Sequence, residues 1–157
     1  MLLPPRILYA DNDAIDSQLM SHWLTDSFGF DVTTAPDGKQ AGELIERESF
    51  DLFLLDYCFP DTTAVQICMK IRAVDPFIPI LIYSTLNREV DKQQAIAAGA
   101  NDYLVKPDQM NLLKSHIDAL LEMRLPDRFS ATQRKNISLT RVAGNRLSVR
   151  LRASRIV

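Results

Sequence analysis

The sequence predicts an α/β protein built on an open parallel β-sheet over residues 6–124. Short apolar segments of strand length alternate with longer segments of helical period, five of each. Because each connection between consecutive strands contains a helix, the strands are expected to run parallel. Polar residues directly follow four of these strands, and the carboxyl ends of parallel strands share one edge of a sheet. We therefore expect those polar side chains to converge.

The first strand and helix begin the alternation. Arg6–Ala10 is a short apolar run that ends in acidic residues, the first of which is Asp11. Asn12 or Asp13 is expected to cap the following helix, because their side-chain oxygens accept hydrogen bonds from the free N–H groups of the first turn. The apolar residues at helical spacing in this helix are Ile15, Leu19, Trp23 and Leu24.

The next elements lead to the most apolar segment of the chain. Phe28–Thr34 is a weaker strand, and a turn at 37–38 opens a helix that finishes before residue 50. Leu52–Leu55 is an unbroken apolar run, which is typical of a strand covered on both faces. It ends abruptly at Asp56, where the chain leaves the core, so this residue is either a cap or a working group.

The remaining elements continue the same pattern. Asp75 ends a helix of about 63–74, because the residue before a proline is pushed out of helical geometry. Gly99 closes a polar helix of about 87–98 as a C-cap, and Asp108 caps the last helix. The fourth and fifth strands are Pro79–Tyr83 and Tyr103–Val105. The apolar face of the last helix is formed by Met110, Leu113, Ile117, Leu120 and Leu121.

Charge divides the chain into an acidic body and a basic tail. Residues 1–124 hold 10 Lys/Arg and 19 Asp/Glu, whereas residues 125–157 hold 8 Lys/Arg and one acid, for a net charge of −2. We expect one domain at 1–124 and a tail at 125–157, whose apolar alternation around 143–145 indicates a hairpin or a linker. The tail is an anion-contacting arm, a dimerisation element or a solvated linker. The lack of aromatic residues after Phe129 argues against nucleic acid.

Composition excludes several classes of protein. No segment resembles a signal peptide or a membrane span, so the sequence predicts a soluble cytoplasmic protein without a membrane partner. Cys58 and Cys68 have neither the spacing of a metal site nor the number for a disulfide framework, and they are expected to be reduced. His22 and His116 lie in helices, away from the strand ends, where ligation is not expected.

The polar residues at the strand ends suit phosphoryl chemistry. Clustered carboxylates such as Asp11 and Asp56 repel one another unless a cation is present, and oxygen ligands favour Mg²⁺. An ionised aspartate can attack phosphorus and form an acyl phosphate. The charge on the transferred group could then be cancelled by a divalent ion, by the ammonium of Lys106 and by the hydroxyl of Ser84.

In these features the sequence resembles the receiver domain of two-component response regulators. The matching elements, in order, are the acidic end of the first strand, Leu54-Leu55-Asp56 with Pro60, Ser84, and Tyr103-Leu104-Val105-Lys106-Pro107. The resemblance covers about residues 6–124. It implies a flavodoxin-like (βα)5 doubly wound parallel sheet with strand order 2-1-3-4-5 and a short basic C-terminal extension.

The resemblance also implies a role for each matching residue. Asp56 is the expected phosphoacceptor, Lys106 pairs with the phosphoryl group, and Ser84 is the switch hydroxyl. Tyr103 is the aromatic residue whose rotamer follows that switch. The bond between Lys106 and Pro107 is expected to be cis, a geometry that proline makes accessible. The implied Mg²⁺ ligands are Asp11, Asn12, Asp56 and the backbone carbonyl of Cys58.

Three residues depart from the pattern of the family. Asn12 stands where an acid usually contacts the metal, so Mg²⁺ binding is expected to be weaker than with an Asp-Asp pair. Asp13 either compensates for that charge or only caps the helix. Ala64 replaces a usual glycine in the loop after Asp56, and the apolar Leu86 predicts slow self-dephosphorylation.

The implied function is a response regulator that accepts a phosphoryl group on Asp56 from a sensor histidine kinase or a phosphotransfer protein. It would then signal to an unidentified output protein through a switched surface, and a homodimer remains open. It would be no enzyme beyond catalysis of its own phosphorylation and dephosphorylation. The alternatives are a phosphorylation-independent pseudo-receiver adaptor and a regulator whose basic tail contacts nucleic acid. Cys58 nearly excludes a haloacid dehalogenase phosphatase, which requires a second aspartate there.

Overall fold

The computed structural model describes residues 3–124, 137–142 and 146–151. Residues 3–124 form five strands and five helices that alternate along the chain. The strands are β1 (Arg6–Ala10), β2 (Asp31–Ala35), β3 (Leu52–Leu55), β4 (Ile80–Ser84) and β5 (Asp102–Val105). The helices are α1 (Ala14–Phe28), α2 (Gly38–Arg47), α3 (Ala64–Val74), α4 (Glu89–Ala97) and α5 (Leu113–Met123), the last preceded by a 3₁₀ turn, Met110–Leu112.

The strands form one parallel sheet in the order β2-β1-β3-β4-β5, which confirms the predicted fold and topology. Strand β3 lies at the centre between β1 and β4, and all four of its residues are buried. Such complete burial explains the unbroken apolar run, since a strand covered on both faces has no position that favours a polar side chain. The residue after β3, Asp56, is therefore held at the middle of the carboxyl edge.

Helices cover both faces of the sheet. Successive residues of a strand point to opposite faces, so β1 contributes Ile7 and Tyr9 to one apolar layer and Leu8 and Ala10 to the other. The first layer also contains buried residues of α1 and α5, and the second contains buried residues of α2, α3 and α4. This arrangement of helices on both faces is the doubly wound architecture.

Helix α1 buries a different face from the one that its hydrophobic spacing predicts. Ile15 and Leu19 are 73% and 64% exposed, whereas Ser17, Met20 and Leu24 are buried. Residues separated by three and four positions share one side of a helix, and here that side includes a small hydroxyl residue in place of a large apolar one. The prediction followed hydrophobicity and was wrong for the first two turns.

The boundary between α1 and β2 also differs from the prediction. Phe28 is the last residue of α1, where its ring contacts Trp23 edge to face at a centroid distance of 4.9 Å. Gly29 ends the helix with φ of +71°, a conformation that glycine adopts without steric cost. The strand therefore begins at Asp31, three residues later than predicted.

The start of α5 is set by a turn rather than by an aspartate cap. The N–H groups of Gln109 and Met110 donate to the carbonyls of Val105 and Pro107, and a 3₁₀ turn precedes the helix at Leu113. Asp108 is therefore not its N-cap, contrary to the prediction. The Lys106–Pro107 peptide bond is cis, as the resemblance implied.

The chain divides into two units, Met1–Glu122 and Met123–Val157. In the second unit, β6 (Ile137–Val142) pairs antiparallel with β7 (Arg146–Leu151), so that Ile137 lies opposite Leu151. The predicted turn at 143–145 lies outside the described residues, and the domain boundary at 124 stays a prediction. No helix in the described part of the chain is long and apolar enough to span a bilayer.

Candidate functional site

The carboxyl ends of four strands bring the predicted site residues together. Asp11, Asp56 and Lys106 directly follow β1, β3 and β5, while Ser84 is the last residue of β4. Main-chain hydrogen bonds fix these ends to one another: the N–H of Asp56 donates to the carbonyl of Ala10 at 2.8 Å, and that of Lys106 to Ser84 at 2.8 Å. The sheet itself therefore determines the spacing of the site.

Asp11 is a buried carboxylate with several hydrogen-bond donors around it. Its side chain is fully buried, and it accepts hydrogen bonds from the hydroxyl of Tyr9 at 2.5 Å and from the N–H of Asp13 at 2.8 Å. It also forms an ion pair with the Nζ of Lys106. A buried charge is tolerated only when it is paired and hydrogen-bonded, so Asp11 and Lys106 depend on each other.

Lys106 connects three carboxylates at the end of the sheet. Its ammonium contacts Asp11, donates to Oδ2 of Asp16 at 2.7 Å and lies 4.0 Å from Oδ2 of Asp56. Burial works to lower the pKa of Lys106, but the hydrogen bonds to Asp11 and Asp16 outweigh it and the pKa is raised. The ammonium thus stays charged beside Asp56, with the ring of Tyr83 centred 5.2 Å away.

Asp56 is mostly buried, and its surroundings neutralise its charge incompletely. The side chain is 15% exposed, and Oδ1 accepts a hydrogen bond from the N–H of Tyr57 at 2.6 Å. Burial raises the pKa of Asp56, and the hydrogen bond from Ser84 and the charge of Lys106 oppose this only in part. The ionised carboxylate would therefore gain from a further positive group at the site.

Ser84 and Tyr103 both contact the backbone of Leu86. The hydroxyl of Ser84, which is buried, accepts a hydrogen bond from the N–H of Leu86 at 3.4 Å. The hydroxyl of Tyr103 donates to the carbonyl of the same residue at 2.7 Å. Burial raises the pKa of Tyr103 to about 12, so this hydroxyl keeps its proton at neutral pH. Ser84 and Tyr103, the two residues assigned to a switch, are thus linked through the main chain of Leu86: Ser84 through its N–H and Tyr103 through its carbonyl.

The other predicted metal ligands lie in the loops beside the site. Asn12 is exposed, and Asp13 is the N-cap of α1, where it accepts from the N–H groups of Ile15 and Asp16 at 2.9 Å each. Asp13 therefore has a structural role. Cys58 is an exposed residue of the loop after Asp56, but its thiol is partly desolvated. This desolvation and the nearby charge of Asp56 raise the pKa of the thiol, so it is not an activated nucleophile.

Asp16 contacts the site through Lys106, although no sequence pattern predicts this contact. Its position in the first turn of α1, three residues after the cap, is where acidic side chains commonly stabilise the helix N-terminus. Stabilisation of the helix N-terminus is therefore enough to explain an acidic residue at this position of the sequence. Only the fold shows that the start of α1 lies against the end of β5, which brings Asp16 to Lys106.

The family model for the response regulator receiver domain matches residues 7–118, which is more than half of the chain. This chain belongs to the response regulator receiver family. Response regulator MprA of Mycolicibacterium vanbaalenii is 30% identical over 125 residues, covering 80% of this chain and 54% of that protein. The alkaline phosphatase synthesis transcriptional regulatory protein PhoP of Bacillus subtilis is 32% identical over 116 residues, covering 74% and 48%. The receiver chain thus spans about half the length of these relatives.

Solved receiver domains have the same fold. The receiver domain of the Francisella response regulator 1452 is 28% identical with a TM-score of 0.69, covering 75% of this chain and 97% of that one. The receiver domain of the sensor histidine kinase PA1611 of Pseudomonas aeruginosa PAO1 is 26% identical, also with a TM-score of 0.69, covering 76% and 98%. That structure has a magnesium ion coordinated in its active site cleft.

The donor set of this receiver domain fits Mg²⁺. The described residues contain no cluster of three or more His, Cys, Asp or Glu side chains that could hold a metal ion without other ligands. Mg²⁺, however, commonly takes one or two carboxylates and keeps several of its waters. Asp11 and Asp56, both within reach of Lys106, supply two carboxylates, and Asn12 follows Asp11 with a neutral amide in place of a third.

Proposed function

We propose that this receiver domain accepts a phosphoryl group on Asp56 from a sensor histidine kinase or a phosphotransfer protein in the cytoplasm. The observation that carries the proposal is the setting of Asp56: a partly neutralised carboxylate at the end of the central strand, with a charged ammonium 4.0 Å away and the hydroxyl of Ser84 beside it. The domain would catalyse only its own phosphorylation and dephosphorylation, and would not turn over a separate substrate.

The transfer needs few groups besides Asp56. An Oδ lone pair of Asp56 forms the new O–P bond while the P–N bond of a phosphohistidine breaks, and the imidazole leaves with the bonding electrons and the proton already on its other nitrogen. With acetyl phosphate the P–O bond breaks and acetate leaves. Lys106 and Ser84 would neutralise the oxygens of the transferred group, and water would later hydrolyse the acyl phosphate.

We propose Asp11, Asp56, the carbonyl of Cys58 and the amide oxygen of Asn12 as the residues that would hold Mg²⁺. The ion would supply positive charge at the oxygens of the transferred phosphoryl group. The neutral Asn12 removes one negative charge from this set, and we expect a correspondingly weaker affinity for Mg²⁺. Asp13 is not expected to compensate, because its carboxylate caps α1.

The hydrogen bonds of Leu86 suggest how a change at the site could alter the protein surface. If Ser84 turns toward a phosphoryl group on Asp56, its hydrogen bond with the N–H of Leu86 is lost, and the loop that also holds the hydroxyl of Tyr103 is released. The surface formed by α4, β5 and α5 would then change, since Tyr103 belongs to β5. We propose this surface for an output protein or for a second copy of the domain.

The test of this function is the intact mass after incubation with acetyl phosphate and Mg²⁺. We expect one phosphoryl adduct in the wild-type chain and none in Asp56→Asn or in the presence of EDTA. An adduct that persists in Asp56→Asn would place the chemistry elsewhere and contradict the proposal.

Asn12 favours a second candidate, a phosphorylation-independent adaptor. Loss of one carboxylate from the metal site would leave the fold and its surfaces intact while removing useful affinity for Mg²⁺. Absence of the adduct in the wild-type chain, together with undetectable Mg²⁺ binding by calorimetry, would favour this adaptor.

A further inference from the structure

The Lys106 ammonium has three hydrogen-bond partners, and Asp56 is not among them. Two of the partners are the carboxylates of Asp11 and Asp16, and the hydroxyl of Tyr9 lies 3.4 Å from the same nitrogen. An ammonium has no further donor to offer. Asp56, at 4.0 Å, therefore receives the charge of Lys106 but no hydrogen bond from it.

A phosphoryl group on Asp56 could bind Lys106 only if one of these contacts is given up. Asp11 cannot release the ammonium cheaply, because its side chain is 0% exposed and only the hydrogen bonds from Tyr9 and Asp13 would remain to offset its buried charge. Asp16 can, because its side chain is 41% exposed and water can replace the lost donor. The two carboxylates that hold Lys106 are therefore unequal, and the exposed one is exchangeable.

We propose that Asp16 is a positioning residue that holds the Lys106 ammonium on the α1 side of the site and slows phosphoryl acceptance by Asp56. This inference rests on the proposed function. Lys106 is released from Asp16 when it turns to the incoming phosphoryl group, while its contact with Asp11 is kept. Asp16 thereby sets how readily the domain is phosphorylated without contacting the reacting atoms.

The test compares initial rates of phosphorylation by acetyl phosphate at saturating Mg²⁺. Asp16→Asn removes the charge and keeps the size of the side chain, and we expect it to react about twofold to fivefold faster, because the Asp16 carboxylate is exposed and its ion pair is weakened by solvent. Asp16→Glu keeps a carboxylate and should react within about twofold of the wild-type rate. Asp118→Asn is the matched control, since Asp118 is 43% exposed and pairs with Lys114 outside the site; its rate should not change.

A second measurement distinguishes positioning from a general effect on the fold. Salt screens the exposed carboxylate of Asp16, so the ratio of the Asp16→Asn rate to the wild-type rate should fall toward one as KCl is added. In NMR spectra, a through-hydrogen-bond coupling between Nζ of Lys106 and the carboxylate carbon of Asp16 should be present in the wild-type chain and absent in Asp16→Asn. The coupling establishes that the ion pair is present, whereas the salt-dependent rate ratio would not arise from a merely structural role.

Several outcomes would overturn the inference. An unchanged rate in Asp16→Asn, with the wild-type adduct present, would show that the ion pair does not restrain the reaction. A slower reaction that needs more Mg²⁺ would show that Asp16 instead replaces the charge missing at Asn12. If no variant forms an adduct, the proposed function fails and this inference fails with it, whereas a wild-type adduct with equal rates overturns this inference alone.

Discussion

Asp11, Asp16 and Asp56 share one ammonium, that of Lys106, at the carboxyl end of the sheet. Only Asp16 is well exposed, so water screens its charge, while the charges of the other two act through the protein. Three carboxylates around one ammonium suit the site to bind a further cation, but their mutual repulsion lowers the stability of the folded state. The free energies of unfolding of single-residue variants therefore report on the charges at this site.

We predict that Asp56→Asn stabilises the receiver domain. The pKa of Asp56 is raised in the folded protein, so the carboxyl contributes stability that is fully present below its ordinary pKa and is lost as pH rises through the raised value. A neutral amide avoids this loss, and we expect a gain of about 1 kcal/mol in the free energy of unfolding at pH 7 in EDTA. Urea unfolding at several pH values measures it.

The gain should shrink as pH is lowered, because the wild-type carboxyl then also becomes neutral. It should shrink on addition of Mg²⁺ as well, since binding stabilises the wild-type folded state. A variant less stable than the wild type at pH 7 would show that the surroundings of Asp56 favour its ionised form.

Lys106→Met is predicted to destabilise the domain by about 3–5 kcal/mol, because Asp11 is left buried without its partner. The double variant Lys106→Met with Asp11→Asn should recover most of that loss, because the fully buried carboxylate is removed together with its partner. Lys114→Met is the control: its partner Asp118 is exposed, and the cost should stay below about 1 kcal/mol. Denaturant unfolding of the four proteins forms the test; equal costs for the two lysines would refute the role of burial.

At the scale of the elements, Arg72 fastens the end of α3 to the strands that follow it. Its guanidinium donates to the carbonyl of Gly99 at 2.7 and 3.0 Å, to that of Ile78 at 2.6 Å and to Oδ1 of Asn101 at 3.0 Å. A Cβ on Gly99 would lie 2.7 Å from the Arg72 side chain, and the glycine has φ of +115°. The contact therefore depends on both residues.

We predict that Arg72→Met lowers the free energy of unfolding by about 2–4 kcal/mol, because two or more carbonyls lose a charged donor. Lys70→Met is a suitable comparison, since Lys70 pairs with Glu46 and the two side chains are 45% and 61% exposed. Thermal and urea unfolding of both variants measures the difference. An equal, small effect would mean that water replaces Arg72 at these carbonyls.

The sequence alone predicted the strands, the helices and the polar residues at the strand ends. It did not predict which face of helix α1 is buried. Leu52–Leu55 and the order of strands and helices follow from local pattern, and so does the meeting of Asp11, Asp56 and Lys106 at one edge. The buried face of α1 depends on packing against the sheet, where Ser17 is preferred to Leu19. The contact of Asp16 with Lys106 arises from the same packing and has no local signature.

At the scale of the whole molecule, the described helices of the chain and its parallel sheet all lie within residues 3–124. We predict that a chain ending at Arg124 folds with the unfolding midpoint of the full chain and takes up the phosphoryl group at the same rate. Calorimetry and the adduct assay measure these two properties. A lower midpoint, or a changed rate, would show that residues 125–157 contribute to the domain.

The basic tail gives a second expectation at this scale. If residues 125–157 contact nucleic acid, binding of the full chain to duplex DNA should weaken steeply with salt and be lost in the chain that ends at Arg124. Filter binding at several salt concentrations measures it. Binding that is equal in the two chains would assign any affinity to the receiver domain.

Both hydroxyls assigned to the switch use the main chain of Leu86 and not its side chain. Any residue with an N–H and a carbonyl can supply these contacts, so during evolution the amino acid at this position is free to vary without breaking the connection. Proline, which has no N–H, is the exception. A lineage could therefore alter the hydrophobicity of the loop, and with it the lifetime of a signal, while it inherits the same linkage between site and surface.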